Sequence, residues 1–396
     1  MPRDQSIGGV INHIKRKGLA AFGCVALVAA VSTACDTADK LGAAAKVERA
    51  FDKLGKQKSY SAEMGFDADA DKIYNALKGT DDFERDDADI LVGMKYSFSA
   101  GYDKPLKDVT DEDNKNAKIS YKLAKNGGKP LFEARTAAGT SYARGDLKEI
   151  LSLAEKSGKG GGSGELGAGK AALDELMKKT DQLPASMGAV KSALKGDWVS
   201  FDSAALEEFA KSQGGKDKSG GNPFSPDGKS QKQFLDAVKK ALGDNAHFKD
   251  AGRKDGADHV KVTLPAKKVA ADMQESLKPL KDKLEPFGKK DGKSAEDRLK
   301  NVPDKDITVD VAVKDGMLAG LTVDVAQLDT ELKGELPLVI TVKGGEAAEV
   351  EAPTGAQELK PQDLLGAFMA LGGDRLDGSA GSRDRGKDAE RSTFGI

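Results

Sequence analysis

Ile307-Thr-Val-Asp-Val-Ala-Val-Lys-Asp-Gly-Met-Leu-Ala-Gly-Leu-Thr-Val-Asp-Val325 is the stretch whose pattern decides the fold class. Ile307, Val309, Val311 and Val313 alternate with polar or small residues, the period of a strand whose two faces meet different surroundings. Asp315-Gly316 follows, and Leu321, Val323 and Val325 alternate on the way back. A two-residue hairpin turn needs positive φ at both central residues, which Asp-Gly tolerates, so the run predicts an antiparallel hairpin with one apolar face to cover.

The same period recurs along the chain. Tyr60, Ala62, Met64 and Phe66 alternate, as do Met94, Tyr96, Phe98 and Tyr102, and then Ile119, Tyr121 and Leu123. One or two more strands are expected between residues 131 and 143, one over 259–264 and a last one over 336–342. Val47, Ala50, Phe51 and Leu54 instead fall at i, i+3, i+4 and i+7, one helix face, with Gly55 as a stop. Helical patterns also run over 147–155, 171–179, 204–211, 232–242 and 266–287. Segments 156–170, 211–230 and 288–300, rich in Gly, Lys, Ser and Asp, read as long polar loop insertions. Strands, then helices, then strands, without βαβ alternation, predict an α+β domain whose helices pack on an antiparallel sheet.

Composition narrows the function classes. In 396 residues, 62 Lys and Arg nearly cancel 64 Asp and Glu, so no strong net field favours nucleic acid or anionic lipid. The two cysteines, Cys24 and Cys35, leave everything downstream without a thiol, which removes disulfides, thiolate catalysis and cysteine metal sites.

Lys15, Arg16 and Lys17 precede the apolar run Gly18-Leu-Ala-Ala-Phe-Gly-Cys-Val-Ala-Leu-Val-Ala-Ala-Val31, and Ser32-Thr-Ala-Cys35 follows. Charge, apolar core and small residues in that order predict a signal peptide over 1–34. The run is about 14 residues, short of the roughly 20 a spanning helix needs. Small residues before a cysteine resemble the lipobox of bacterial lipoproteins, although Ser32 stands where that motif has Leu. The resemblance implies cleavage after Ala34, lipid attachment at Cys35, and retention on the outer face of the cytoplasmic membrane. Residues 35–45 are then expected to be a tether, 46–366 the folded domain and 367–396 a disordered tail.

Motifs for other chemistry fail. Gly162-Ser-Gly-Glu-Leu-Gly167 and the P-loop-like Gly164 to Lys170 follow a helix and not a strand, and Ala171 stands where magnesium needs a hydroxyl. Asp67, Asp69 and Asp71 have calcium-loop spacing, but Lys72 replaces the turn Gly and Lys78 the bidentate Glu, so a solvated acidic turn is expected. His247 and His259 are the histidines beyond the signal, too few for zinc or a hydrolase triad. No catalytic residue, metal or cofactor is expected.

The anchored Cys35, an N-terminal helix, Ser59-Tyr-Ser61 opening the first strand, Tyr142-Ala-Arg144, Asp197-Trp-Val199 and the closing Val350-Glu-Ala-Pro353 together carry a family resemblance. The chain resembles actinobacterial envelope lipoproteins of the LppX and LprG type, which share a fold with the lipoprotein carriers LolA and LolB. The resemblance implies a curved antiparallel sheet, a partly closed barrel wrapped around helices, enclosing an apolar cavity for a lipid or glycolipid. Met64, Phe66, Tyr96, Phe98, Tyr121, Trp198, Val309 and Val311 are the residues expected to line it. The alternatives are an interaction lipoprotein, whose same residues form an ordinary packed core and which recruits an envelope protein partner, and a substrate-binding lipoprotein feeding a transporter. The last needs two α/β lobes, against which the missing βαβ alternation counts.

Overall fold

The computed structural model describes residues 38–79, 83–110, 116–125, 127–156, 177–202, 246–268, 302–328, 332–345 and 349–363, with the single residues 113, 174, 271 and 366. Residues 1–34, Cys35 and the tail from 367 lie outside them, as do the helices expected at 204–211 and 232–242 and most of those at 171–179 and 266–287.

The strands are β1 (Ser59–Phe66), β2 (Met94–Gly101), β3 (Lys118–Lys125), β4 (Pro130–Ala137), β5 (Thr140–Gly145), β6 (Val199–Phe201), β7 (His247–Lys254), β8 (Ala257–Pro265), β9 (Asp306–Lys314), β10 (Met317–Asp324), β11 (Pro337–Gly344) and β12 (Gln357–Glu358). Helices α1 (Ala38–Gly55), α2 (Ala70–Leu77), α3 (Arg85–Leu91), α4 (Leu147–Lys156) and α5 (Gly188–Lys195) complete the α+β composition. The strands form one sheet in the order β12-β6-β5-β4-β3-β2-β1-β11-β10-β9-β8-β7. Two meanders, β1 to β5 and β7 to β11, meet where β1 pairs antiparallel with β11, Met64 opposite Ile340. Only β12 runs parallel to its neighbour.

The expected partial closure into a barrel is not what this sheet does: it is open, with β12 at one end and β7 at the other. Strand β7 explains its own end. Nearly every residue of it is exposed, and it carries Lys249, Asp250, Arg253 and Lys254 and a bulge between Asp250 and Gly252. Charge and a bulge on an edge strand discourage a further strand from pairing.

Three hairpins share one turn chemistry. Asp315 and Gly316 have φ of 51° and 72°, Asp255 and Gly256 51° and 79°, and Ala138 and Gly139 51° and 76°. Gly and Asp enter this left-handed region at little cost; Ala138 does so against the Cβ clash that disfavours it. Farther along, the Asp324 carboxylate accepts from the amides of Ala326 and Leu336, at 3.1 and 2.8 Å, and so fixes the crossover from β10 to β11.

Helix α1 begins at Ala38, inside the segment 35–45 expected to be a tether, because the apolar stripe continues back from Val47 to Ala43 and the alanines between favour helix. Ala43, Val47 and Ala50 are at most 1% exposed, packed with Phe51 and Leu54 against β8 to β11. Each such valine or leucine, fully buried, contributes about 1.5–3 kcal/mol. A second core joins α2 and α3 through Ile73, Leu77, Ala88 and Leu91 to Ala326, Leu332 and Leu336. Sequence periodicity did not reveal α2 and α3, which are short. Asp69, one of the calcium-spaced aspartates, caps α2 by accepting from the Lys72 amide at 2.8 Å.

Candidate functional site

Strand register puts one set of residues on a common face across the whole sheet. Tyr60, Ala62, Met64 and Phe66 of β1 lie opposite Gly344, Val342, Ile340 and Leu338 of β11 on one side. On the other side, Ala62 and Met64 face Phe98 and Tyr96 of β2, and Phe98 faces Tyr121 of β3. The same register carries on through Ile340 to Leu321, then to Val311 and Val260. Side chains alternate across a strand, so this is one continuous apolar face.

Its two halves differ. Over β8 to β11, helix α1 seals it, and Val309 and Val311 are 3% and 1% exposed. Over β1 to β4, Tyr60, Met64, Tyr96, Phe98 and Tyr121 are only half-buried, and Phe132 of β4 is 39% exposed. Of the described helices, α1 packs on β7, β9 and β10 and α5 beside β6 and β12, while α4 reaches the β4 end of this half, where Ile150 and Leu153 pack with Leu123 and Leu131. Tyr60 to Phe98, Phe98 to Tyr121 and Tyr121 to Tyr96 form a chain of tilted rings, with centroids 5.6, 5.1 and 6.5 Å apart. Tilted pairs at this spacing each contribute ~0.5–1.5 kcal/mol beyond the area they bury.

The electrostatics match a dry surface. Burial, and then the neighbouring tyrosines, raise the hydroxyls of Tyr60 and Tyr121 above their ordinary range. Burial pushes Tyr96 up to about 12. These hydroxyls stay protonated at any physiological pH, and they give the face polar tips without charge.

The residues expected to line one cavity are therefore divided. Met64, Phe66, Tyr96, Phe98 and Tyr121 lie on the face described, and Val309 and Val311 on its continuation inside the core that α1 closes, against which Met64 and Phe66 also pack. Trp198 does not join them. It packs against two guanidiniums, those of Arg135 and Arg144, whose centres are 4.9 and 4.7 Å from its ring centroid. Both arginines are anchored from beneath by Glu133, whose side chain is 4% exposed. Arg135 donates from Nε and Nη2 to Oε1 at 2.9 and 2.6 Å, and Arg144 from Nε and Nη2 to Oε2 at 3.0 and 2.6 Å. Glu133 and Arg135 sit two apart on β4, with Arg144 opposite Glu133, so all three point away from the aromatic face. The signal that escaped the sequence reading was charge at alternate positions of a strand, which only the pairing of β4 with β5 turns into a cluster.

Other expectations resolve simply. His259 Nδ1 is 2.6 Å from Asp310 Oδ1 across β8 and β9, and His247 lies farther along the ladder opposite Thr263. Among the described residues, no three His, Cys, Asp or Glu side chains are grouped to hold a metal, and no helix is long and apolar enough to cross a membrane. The glycine-rich motifs at 162–170, Ala34 and Cys35 lie outside the described residues.

No family model and no curated protein matches the chain. Among solved structures it is similar to LprF from Mycobacterium bovis, at 11% identity over 81% of this chain and 100% of that one, with a TM-score of 0.31. At that score the two backbones agree too loosely to establish a shared fold.

Proposed function

We propose that this chain is an exported, lipid-anchored envelope protein that binds an acyl chain of a lipid or glycolipid on the aromatic face of β1 to β4. The carrying observation is the half-exposed row of Tyr60, Phe98, Tyr121 and Tyr96 beside an apolar surface that α1 seals elsewhere. The N-terminal pattern ending at Cys35 supports the anchor, on the outer face of the cytoplasmic membrane. Binding needs no catalytic group or cofactor. Eight methylenes transferred from water to this face contribute about 6 kcal/mol at ~0.8 kcal/mol each, before ordering costs.

Native mass spectrometry of the processed chain, Cys35 to Ile396, purified from its own host, tests this directly. A co-purifying mass that organic extraction releases is expected, and Phe98→Ala with Tyr121→Ala should lose it. A clean apo mass, unchanged after incubation with envelope lipids, refutes lipid binding. That outcome favours the second reading, an interaction lipoprotein, for which the mutual stacking of these rings is the supporting observation.

A further inference from the structure

The side of α1 that does not seal the core is basic, and it belongs to a groove between the helix and the β9–β10 turn. Lys46, Arg49, Lys53 and Lys56 line it, together with the carboxylates of Asp52 and Asp258. Lys46, Arg49 and Lys53 fall at i, i+3 and i+7, one face of α1, and Lys56 follows just past its last residue, Gly55. Lys46 is engaged by Asp250 at 2.7 Å, and Lys53 donates to the Asp315 carbonyl at 2.6 Å. Arg49, Lys53 and Lys56 are exposed, and Arg49 Nε donates only to Ala45 within its own helix. Asp52 is the carboxylate that α1 contributes to the groove lining. Cations therefore outnumber carboxylates along the groove.

Position gives this charge a counterpart. Helix α1 begins at Ala38, three residues after Cys35, and three extended residues span at most about 10 Å. That reach is comparable with the roughly 8 Å screening length at physiological ionic strength, so the start of the helix stays within the field of the surface to which Cys35 is fixed, and Arg49 and Lys53, about 17 and 23 Å farther along it, enter that field where the helix lies flat on the surface. An 18-residue helix is about 27 Å long, and its basic face can lie along that surface over its whole length.

We infer that the basic face of α1 docks on the anionic phospholipid headgroups of the anchoring membrane, with Arg49, Lys53 and Lys56 making the contact. This deepens the proposed function and rests on its reading of Cys35 as the anchor. The docking itself needs no acylation, which separates the two in experiment. The processed chain, Cys35 to Ile396, unacylated, is mixed with phosphatidylcholine vesicles with and without phosphatidylglycerol, and bound protein is measured by co-sedimentation at rising salt. Binding is expected on anionic vesicles only, weakening as salt screens it. Each Lys or Arg near such a surface is worth about fivefold in affinity, so R49Q/K53Q/K56Q should lose about 100-fold. The same charge removed from the other half of the sheet, K118Q/K122Q/K129Q, should leave binding almost unchanged. Asp52→Asn should strengthen binding about fivefold, which keeps the test decisive should the triple variant fold poorly. Equal binding to neutral vesicles, no binding at all, or equal losses in both triple variants overturns the inference. Metabolic labelling of the full chain with palmitate tests Cys35 separately: labelling lost in Cys35→Ser is expected, and its absence refutes the anchor while leaving the vesicle result to stand or fall alone.

Discussion

Glu133→Gln isolates the electrostatic clamp that holds the chain's single tryptophan. The carboxylate accepts four charge-assisted bonds from Arg135 and Arg144 while only 4% exposed. An amide of the same shape keeps one acceptor and turns an NH2 group toward the other guanidinium, so two of the four bonds are lost. Bonds to charged groups are worth ~1.5–3 kcal/mol each, but water can partly rehydrate arginines that are 27% and 32% exposed. A loss of about 2–3 kcal/mol follows, at or just below the low end of the ~3–5 kcal/mol for breaking a buried pair, as partial rehydration requires. Urea unfolding followed by far-UV circular dichroism gives the stability change, and Trp198 emission reports the ring directly, with a red shift expected as its guanidinium cover loosens. Replacing the whole cluster, as E133L/R135M/R144M, should recover stability to within about 1 kcal/mol of the natural chain, because no unpaired charge remains. If Glu133→Gln costs under about 0.5 kcal/mol and leaves Trp198 emission unmoved, the clamp is a surface ion pair of the ordinary weak kind and the reasoning fails.

Other parts of the fold can be tested in the same way. Ile340→Ala, at a site 1% exposed in the main core, should cost about 2–5 kcal/mol by urea unfolding. Ala138→Asn should stabilise by about 0.5–1 kcal/mol, since Asn tolerates the φ of 51° that Ala138 is forced to adopt. Spectrophotometric titration should show tyrosines ionising above the ordinary value, with Tyr96 at about 12. The folded state retains those protons after the unfolded chain has lost its own, so stability is full below pH about 10 and falls as pH rises toward 12. Asp113 is held down to about 2 by its bonds from Lys104 and Thr110, so those bonds should persist above pH about 3.8 and be lost as pH falls toward 2, read by NMR of the Asp113 carboxyl.

Strands with one buried face were legible, because alternation is what a half-buried strand leaves in a sequence. The hairpin of β9 and β10 follows the expected alternation from Ile307 to Val323, apart from a bulge between Leu318 and Gly320 that the alternation did not mark. Strand β7, His247–Lys254, left no such mark: it is an edge strand exposed along nearly its whole length, so nothing selects apolar residues at alternate positions. Helices α2 and α3 span 8 and 7 residues, too few turns for a period to accumulate, and their caps, Asp69 and the Glu84–Asp87 box, resemble any acidic turn. Which apolar strand residues are sealed and which stay half-exposed was not legible either. Val311 and Tyr121 both read as buried-face residues, and the difference between them is the path of α1, a long-range fact.

Helix α1 is where these strands of argument meet. Its apolar stripe, Ala43, Val47 and Ala50, lies on β8 to β11 and closes that half of the sheet. Another side carries Arg49 and Lys53, with Lys56 just past its end, and its first residue follows Cys35 by three. A helix bound on one side to the sheet and on another to a charged surface fixes the sheet relative to that surface. If α1 docks as inferred, the aromatic half over β1 to β4 would be held near the membrane without depending on the acyl chain it would take up. Removing the basic face should therefore leave the affinity of the isolated protein for a lipid unchanged and slow its exchange of that lipid with vesicles. A variant that loses both together would place the basic groove inside the binding site itself, and the two roles assigned here to different sides of α1 would collapse into one.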